Sequence, residues 1–160
     1  MGKLTELLFQ VNSAALVEAL LEMGINPDIM TTIIAGRFNE LRPVIFEQLG
    51  NAVSDDGARQ ELPSDISALI QFYTKLAADG GIFDLLESES VSESGYTLIG
   101  TNCMFKSTRN ILMARHPDLQ PPCFVAAMLA GIASGVTGKQ CMPDSVEING
   151  DKCKFKTVVE

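Results

Sequence analysis

The stretch Pro121–Phe155 reads P-P-C-F-V-A-A-M-L-A-G-I-A-S-G-V-T-G-K-Q-C-M-P-D-S-V-E-I-N-G-D-K-C-K-F, and its reading decides the fold. A proline pair opens a helix expected over Pro122 to Val136. That helix is built from apolar and small residues. Ala126, Ala127, Ala130, Gly131, Ala133, Ser134 and Gly135 let a neighbouring backbone or a ligand come close. A glycine-punctuated break follows, and then a hairpin whose Asn149-Gly150 pair suits a type I′ turn. Beyond the turn, Cys153, Phe155, Thr157 and Val159 alternate with Lys152, Lys154 and Lys156, the period of a strand with one face buried. Pairing about that turn sets Glu147 opposite Lys152.

Upstream, the apolar spacing predicts a first helix over Lys3 to Met23, with Leu4, Leu8, Val11 and Ala15 in one stripe that Leu16, Leu20 and Met23 widen. Asn26-Pro27-Asp28 restarts the chain as a second helix, since Asn caps, Pro suits the first helical position and Asp complements the dipole. Its inward residues are Met30, Ile34, Phe38, Leu41, Ile45 and Leu49, and Pro43 is expected to kink or interrupt it near Arg42. Asn51 to Glu61 reads as a loop. Pro63 to Ala78 reads as a third helix burying Ile66, Leu69, Ile70, Tyr73, Leu76 and Ala77. Two short strands, Ile82 to Glu87 and Tyr96 to Gly100, flank an acidic, turn-rich link. A short helix, Lys106 to Arg115, turns Ile111 and Leu112 inward and closes at His116-Pro117. The sum is a single α+β domain over residues 1–160: two hairpins forming one four-stranded antiparallel sheet, packed against about five helices.

Composition narrows the function. The chain has 160 residues, 46% of them hydrophobic and 20% charged, enough to bury a real core. A net charge of -8 with only 12 Lys plus Arg argues against nucleic acid as partner. No stretch reaches the roughly 18 uninterrupted apolar residues of a membrane span. The opening M-G-K-L-T-E-L-L, with Glu6, fits neither a signal peptide nor the myristoylation pattern. A cytoplasmic setting is therefore expected, where four cysteines serve as free thiols or metal ligands rather than disulfides.

Three features together resemble the 4-vinyl reductase domain family, also described as hydrocarbon-binding domains: Asn102-Cys103 after a strand, the small-residue helix starting at Cys123, and Gly150-Asp151 with Cys153 and Phe155 at the last hairpin. Gly36-Arg37 resembles a Gly-Arg pair found in many members. The resemblance implies a fold shared with haem nitric-oxide-binding domains and with Golgi-transport tethering subunits. A second resemblance is to the C-terminal half of iron–sulfur-sensing repressors, carried by Asn102-Cys103, His116-Pro117 with Cys123, and Gly150-Asp151 with Cys153. The basic winged-helix character of a repressor's first half is missing.

The candidate residues follow. Cys103, Cys123, Cys141 and Cys153 are the candidate metal ligands, for zinc or an iron–sulfur cluster. They contain no Cys-x-x-Cys pair, so small buried hydrophobes or idle thiols are the competing reading. A straight strand from Cys141 ends well away from Cys153. A lipophilic cavity would draw on Phe38, Tyr73, Phe124 and Met128, with Arg37 as anchor for a ligand carboxylate or as a surface partner of Glu40. His116, the only histidine, reads as a helix-end cap or as a ligand. No phosphate loop and no paired acid–base set stands out, which favours a non-catalytic role. The leading expectation is a sensor or carrier domain for a small hydrophobic molecule, dimeric through its first two helices. A metal- or redox-responsive module and a tetrapyrrole vinyl reductase-like enzyme are the alternatives.

Overall fold

The computed structural model describes residues 3–53 and 63–160, with side chains over 7–45 and 63–160. Along the chain come α1 (Lys3–Glu22), α2 (Pro27–Val53), α3 (Ile66–Asp79), β1 (Leu85–Ser92), β2 (Gly95–Thr101), α4 (Lys106–Arg115), α5 (Phe124–Thr137), β3 (Cys141–Asn149) and β4 (Lys152–Val159). The strands form one antiparallel sheet in the order β1-β2-β4-β3, so the two hairpins join through β2 and β4. The α+β class, the four-stranded sheet and the five helices stand as expected.

α5 is the hub. Val125, Ala126, Ala127, Leu129, Ala130, Gly131, Ile132 and Ala133 are all buried, because the helix has the sheet on one side and α2 on the other. Small residues make that possible. A Cβ on Gly131 would stand 2.1 Å from the Ala35 carbonyl oxygen, and one on Gly135 would meet the Arg42 guanidinium. α3 completes the layer over the sheet with Ile66, Leu69, Ile70, Tyr73 and Ala77. Asp65 caps it by accepting from the Ala68 N–H at 2.8 Å.

α1 departs from the expected packing. Ala14 and Val17 are buried against Leu112 of α4, whereas Leu8, Val11, Leu16 and Met23 of the expected stripe are exposed. Leu4 lies outside the described side chains. α1 is apolar on more than one side, so spacing alone could not choose the face. The polar Gln10 marks the packed side: its carbonyl accepts from Thr108 Oγ1 at 3.3 Å, and its Nε2 donates to the Met104 carbonyl at 3.4 Å.

Three other boundaries moved. α2 runs through Pro43 to Val53 without interruption at Arg42. Both Pro43 and Asn39, whose carbonyl loses its N–H partner, are exposed to water there. Asn51 to Val53, expected in a loop, continue this helix, and residues 54–62 lie outside those described. β1 extends over the polar run to Ser92 and leaves only Glu93 and Ser94 as the turn, since an edge strand needs no apolar alternation. In the last hairpin Asn149 pairs with Lys152, so Gly150 and Asp151 form the turn and Glu147 faces Lys154, not Lys152. Gly150 takes φ 60 while Asp151 stays outside the left-handed region, the pattern of a type II′ turn rather than I′.

Gly131→Ala should retain the fold but lose about 1–3 kcal/mol, because a backbone carbonyl cannot yield as a side chain would. Urea denaturation of both proteins measures it, and equal stabilities would show that the α2–α5 contact is slack.

Candidate functional site

An apolar cavity lies where α4, the start of α5 and the β3–β4 hairpin meet. Its walls include Phe105, Leu112, Phe124, Val125, Val146 and Ile148, together with Cys103, Cys123 and Cys153. Counted out to its open mouth it spans about 630 Å³, of which about 60 Å³ is open to the centres of water molecules. That is room for roughly four or five waters, short of the about 150 Å³ that encloses a benzene ring, so a ring would also occupy the open mouth.

Local sequence explains the walls. Phe105 at the N-cap of α4 and Thr108, Arg109 and Leu112 on it follow the i, i+3, i+4, i+7 spacing of one helix face, and all four line the cavity. Phe105 stacks obliquely on Phe124 with ring centroids 5.4 Å apart, which fixes α4 against α5. Cys123 is the N-cap of α5, its sulfur accepting from the Ala126 N–H at 3.5 Å. Asn102 holds the hairpin in place. It takes a left-handed φ of 52, donates its side-chain amide to Asp84 at 2.6 Å, and donates its N–H to the Asp151 carbonyl at 2.8 Å. Lys106 of α4 pairs with the Asp151 carboxylate across the mouth.

Of the four sequence-selected cysteines, three line this cavity. Cys141 is buried at the far end of the sheet, opposite Val159, with its N–H bonded to Ser134 Oγ at 2.9 Å. Among the described residues no group of three or more His, Cys, Asp or Glu side chains is placed to hold a metal ion. Burial pushes the Cys103 thiol up to about 12 and the Cys123 thiol up to about 11, and raises Cys153 as well, so these are neutral walls near pH 7.

The other sequence candidates scatter. Phe124 lines the cavity, whereas Arg37, Phe38, Tyr73 and Met128 are outside its lining. Arg37 is exposed and pairs with Glu40 at 2.5 Å. Tyr73 sits in the main core near Cys103 and Cys123, and among the described residues its hydroxyl has no hydrogen-bond partner. Phe38 is half-buried on α2, and Met128 packs against the main core. His116 lies 3.4 Å from the Glu18 carboxylate, beside the Arg115–Glu18 pair that ties α4 to α1. Sequence reasoning missed Arg109. Its signal was legible: a cation on the inward face of α4, between Phe105 and Leu112.

No family model matches the chain, and no curated protein matches it. Solved structures do. A trafficking protein particle complex subunit 3 from Naegleria fowleri, covalently bound to palmitic acid, aligns over 99% of this chain and 97% of its own, with TM-score 0.66 and 11% identity. The phenol-responsive sensory domain of the transcription activator PoxR, with phenol, aligns over 94% of this chain and 74% of its own, with TM-score 0.61 and 12% identity. These likenesses establish the fold, the one that the family resemblance implied. Among the described residues no single helix is long and apolar enough to cross a membrane.

The raised thiols set a pH dependence. The native state holds protons that unfolded thiols release above about pH 9. Their contribution is therefore full below that pH and is lost as pH rises toward 12. Denaturant titrations between pH 8 and 11 should show falling stability, with a shallower fall in Cys103→Ser; identical slopes would mean that Cys103 ionises freely in the native state.

Proposed function

We propose that this chain is a non-catalytic sensor or carrier domain that takes one compact hydrophobic molecule into the cavity between α4, α5 and the last hairpin. The observation that carries the reading is the cavity itself, an apolar chamber roofed by a turn and held at three corners by separate elements. Rings and aliphatic side chains supply the non-specific part of affinity by surrendering ordered water, and a few polar groups at the rim supply selection. The structural neighbours are described with phenol and with palmitic acid, and both are hydrophobic molecules with one polar end. The enclosed part is small, so a bound ring or chain end would extend into the open mouth. Of the sequence-selected ligand residues, this reading keeps Phe124.

A second reading rests on Cys103, Cys123 and Cys153 sharing one cavity. As a metal- or redox-responsive module the chain would need these side chains to turn toward a common point, which is not their present arrangement. Native mass spectrometry of protein purified without chelator separates the two. The proposed function predicts an excess of organic ligand mass, or binding of added phenol that Val146→Phe weakens roughly tenfold or more by filling the chamber. A mass excess matching zinc or an iron–sulfur cluster would install the second reading, and unaltered phenol affinity in Val146→Phe would remove the first.

For the quaternary state, we propose a homodimer through α1 and α2. Leu8, Val11 and Leu16 on α1, with Ile29, Ile33 and Leu41 on α2, leave large apolar side chains in water. Burying a leucine contributes about 1.5–3 kcal/mol, and a second copy would cover several at once. Sedimentation at micromolar concentration should give a dimer, and Leu16→Glu should shift it to monomer; a wild-type monomer ends the proposal.

A further inference from the structure

The cavity has a charge that no carboxylate among the described residues answers. Arg109 lines it from α4, with its Nε buried and, among the described residues, without a hydrogen-bond partner. Its Nη2 donates only to the neighbouring Asn110 Oδ1 at 3.1 Å. Among the described residues no carboxylate lies within ion-pair distance of it. The one carboxylate in the lining, Asp151, is taken by Lys106. Lys152 adds a further cation to the same walls. The three thiols around Arg109 are held neutral by burial and do not compensate it. In a chain of net charge -8, this chamber is a cationic exception.

A guanidinium donor left unpaired in an apolar chamber costs free energy that a bound anion would recover, and Arg presents a planar fork suited to a carboxylate. The small enclosed volume favours a compact body on that anion, part of it in the open mouth. We propose that the ligand of this cavity is a compact organic acid, such as a single-ring aromatic carboxylate, whose anionic end pairs with Arg109 while its ring lies among Phe105, Phe124 and Val146. This rests on the cavity reading given above and narrows it, because it separates the ligand from neutral phenols and hydrocarbons of equal size.

The test uses benzoate, its neutral isostere benzamide, and toluene, each titrated calorimetrically into the purified full chain at pH 7. Benzoate should bind at least roughly tenfold more tightly than benzamide, the margin of one charge-assisted hydrogen bond. In Arg109→Gln that margin should vanish while toluene affinity stays within about threefold, which also certifies the fold of the variant. Arg109→Lys should retain part of it, as a point charge without the fork. Toluene binding with no preference for benzoate would overturn the acid proposal and leave the hydrophobic-cavity reading standing. A benzoate preference undiminished in Arg109→Gln would also overturn it, moving the anion's partner to Lys152. Failure of all three compounds to bind would remove both readings together.

Discussion

Everything in this fold leans on the approach of α2 to α5. Gly131 lies so close to the Ala35 carbonyl that the two helices touch backbone to backbone, with no side chain between them at that point. Because α5 is sandwiched in this way, it has no free face, and the sequence must fill it with alanine, glycine and a few branched residues. The depth of that burial fixes the position of its N-terminus, where Cys123 caps the helix and Phe124 meets Phe105. The cavity is therefore a by-product of helix packing at its far end. Its inner wall is set by contacts made two turns away, while its outer wall is a hairpin tethered by Asn102 and Lys106.

The division of labour is physically sensible. The inner wall is made of side chains that cannot move without disturbing the core. The outer wall is a two-residue turn, Gly150-Asp151, joined to the rest by one backbone hydrogen bond and one exposed ion pair of small individual worth. On the ligand-binding reading proposed above, the turn is the side that would yield and the inner wall the side that would select.

Much of this was legible in the chain, and the failures have causes. α4 and α5 lay within two residues of their expected limits, and α3 within three, because each has a clear apolar stripe or punctuation by proline and glycine. The separation of Cys141 from Cys153 was expected of a straight β3; the two are apart, opposite Val159 and Ile148, although β3 carries a bulge at Pro143/Ser145. α1 went wrong because its leucines recur on several sides, and the decisive contact is a polar one, Gln10 with Thr108. The turn went wrong because Asn149-Gly150 and Gly150-Asp151 are both good turn pairs, and a shift of one residue decides which partners Glu147 meets. Arg37 drew notice by interrupting an apolar surface that proved to be partly open to water. Arg109 escaped it because α4 is short and its inward face carries only four cavity residues.

The sheet also limits what can join it. Its outer strands, β1 and β3, each carry a break in register, at Ser88/Ser90 and at Pro143/Ser145. Such bulges twist an edge away from a regular ladder, and Pro143 offers no N–H donor at all. Glu87 and Glu89 add like charges along β1, one of them paired to Lys154. An extended peptide, or the edge of another copy, thus finds no straight row of donors and acceptors on either side. Edge-to-edge pairing of strands is thereby disfavoured on both sides of the sheet.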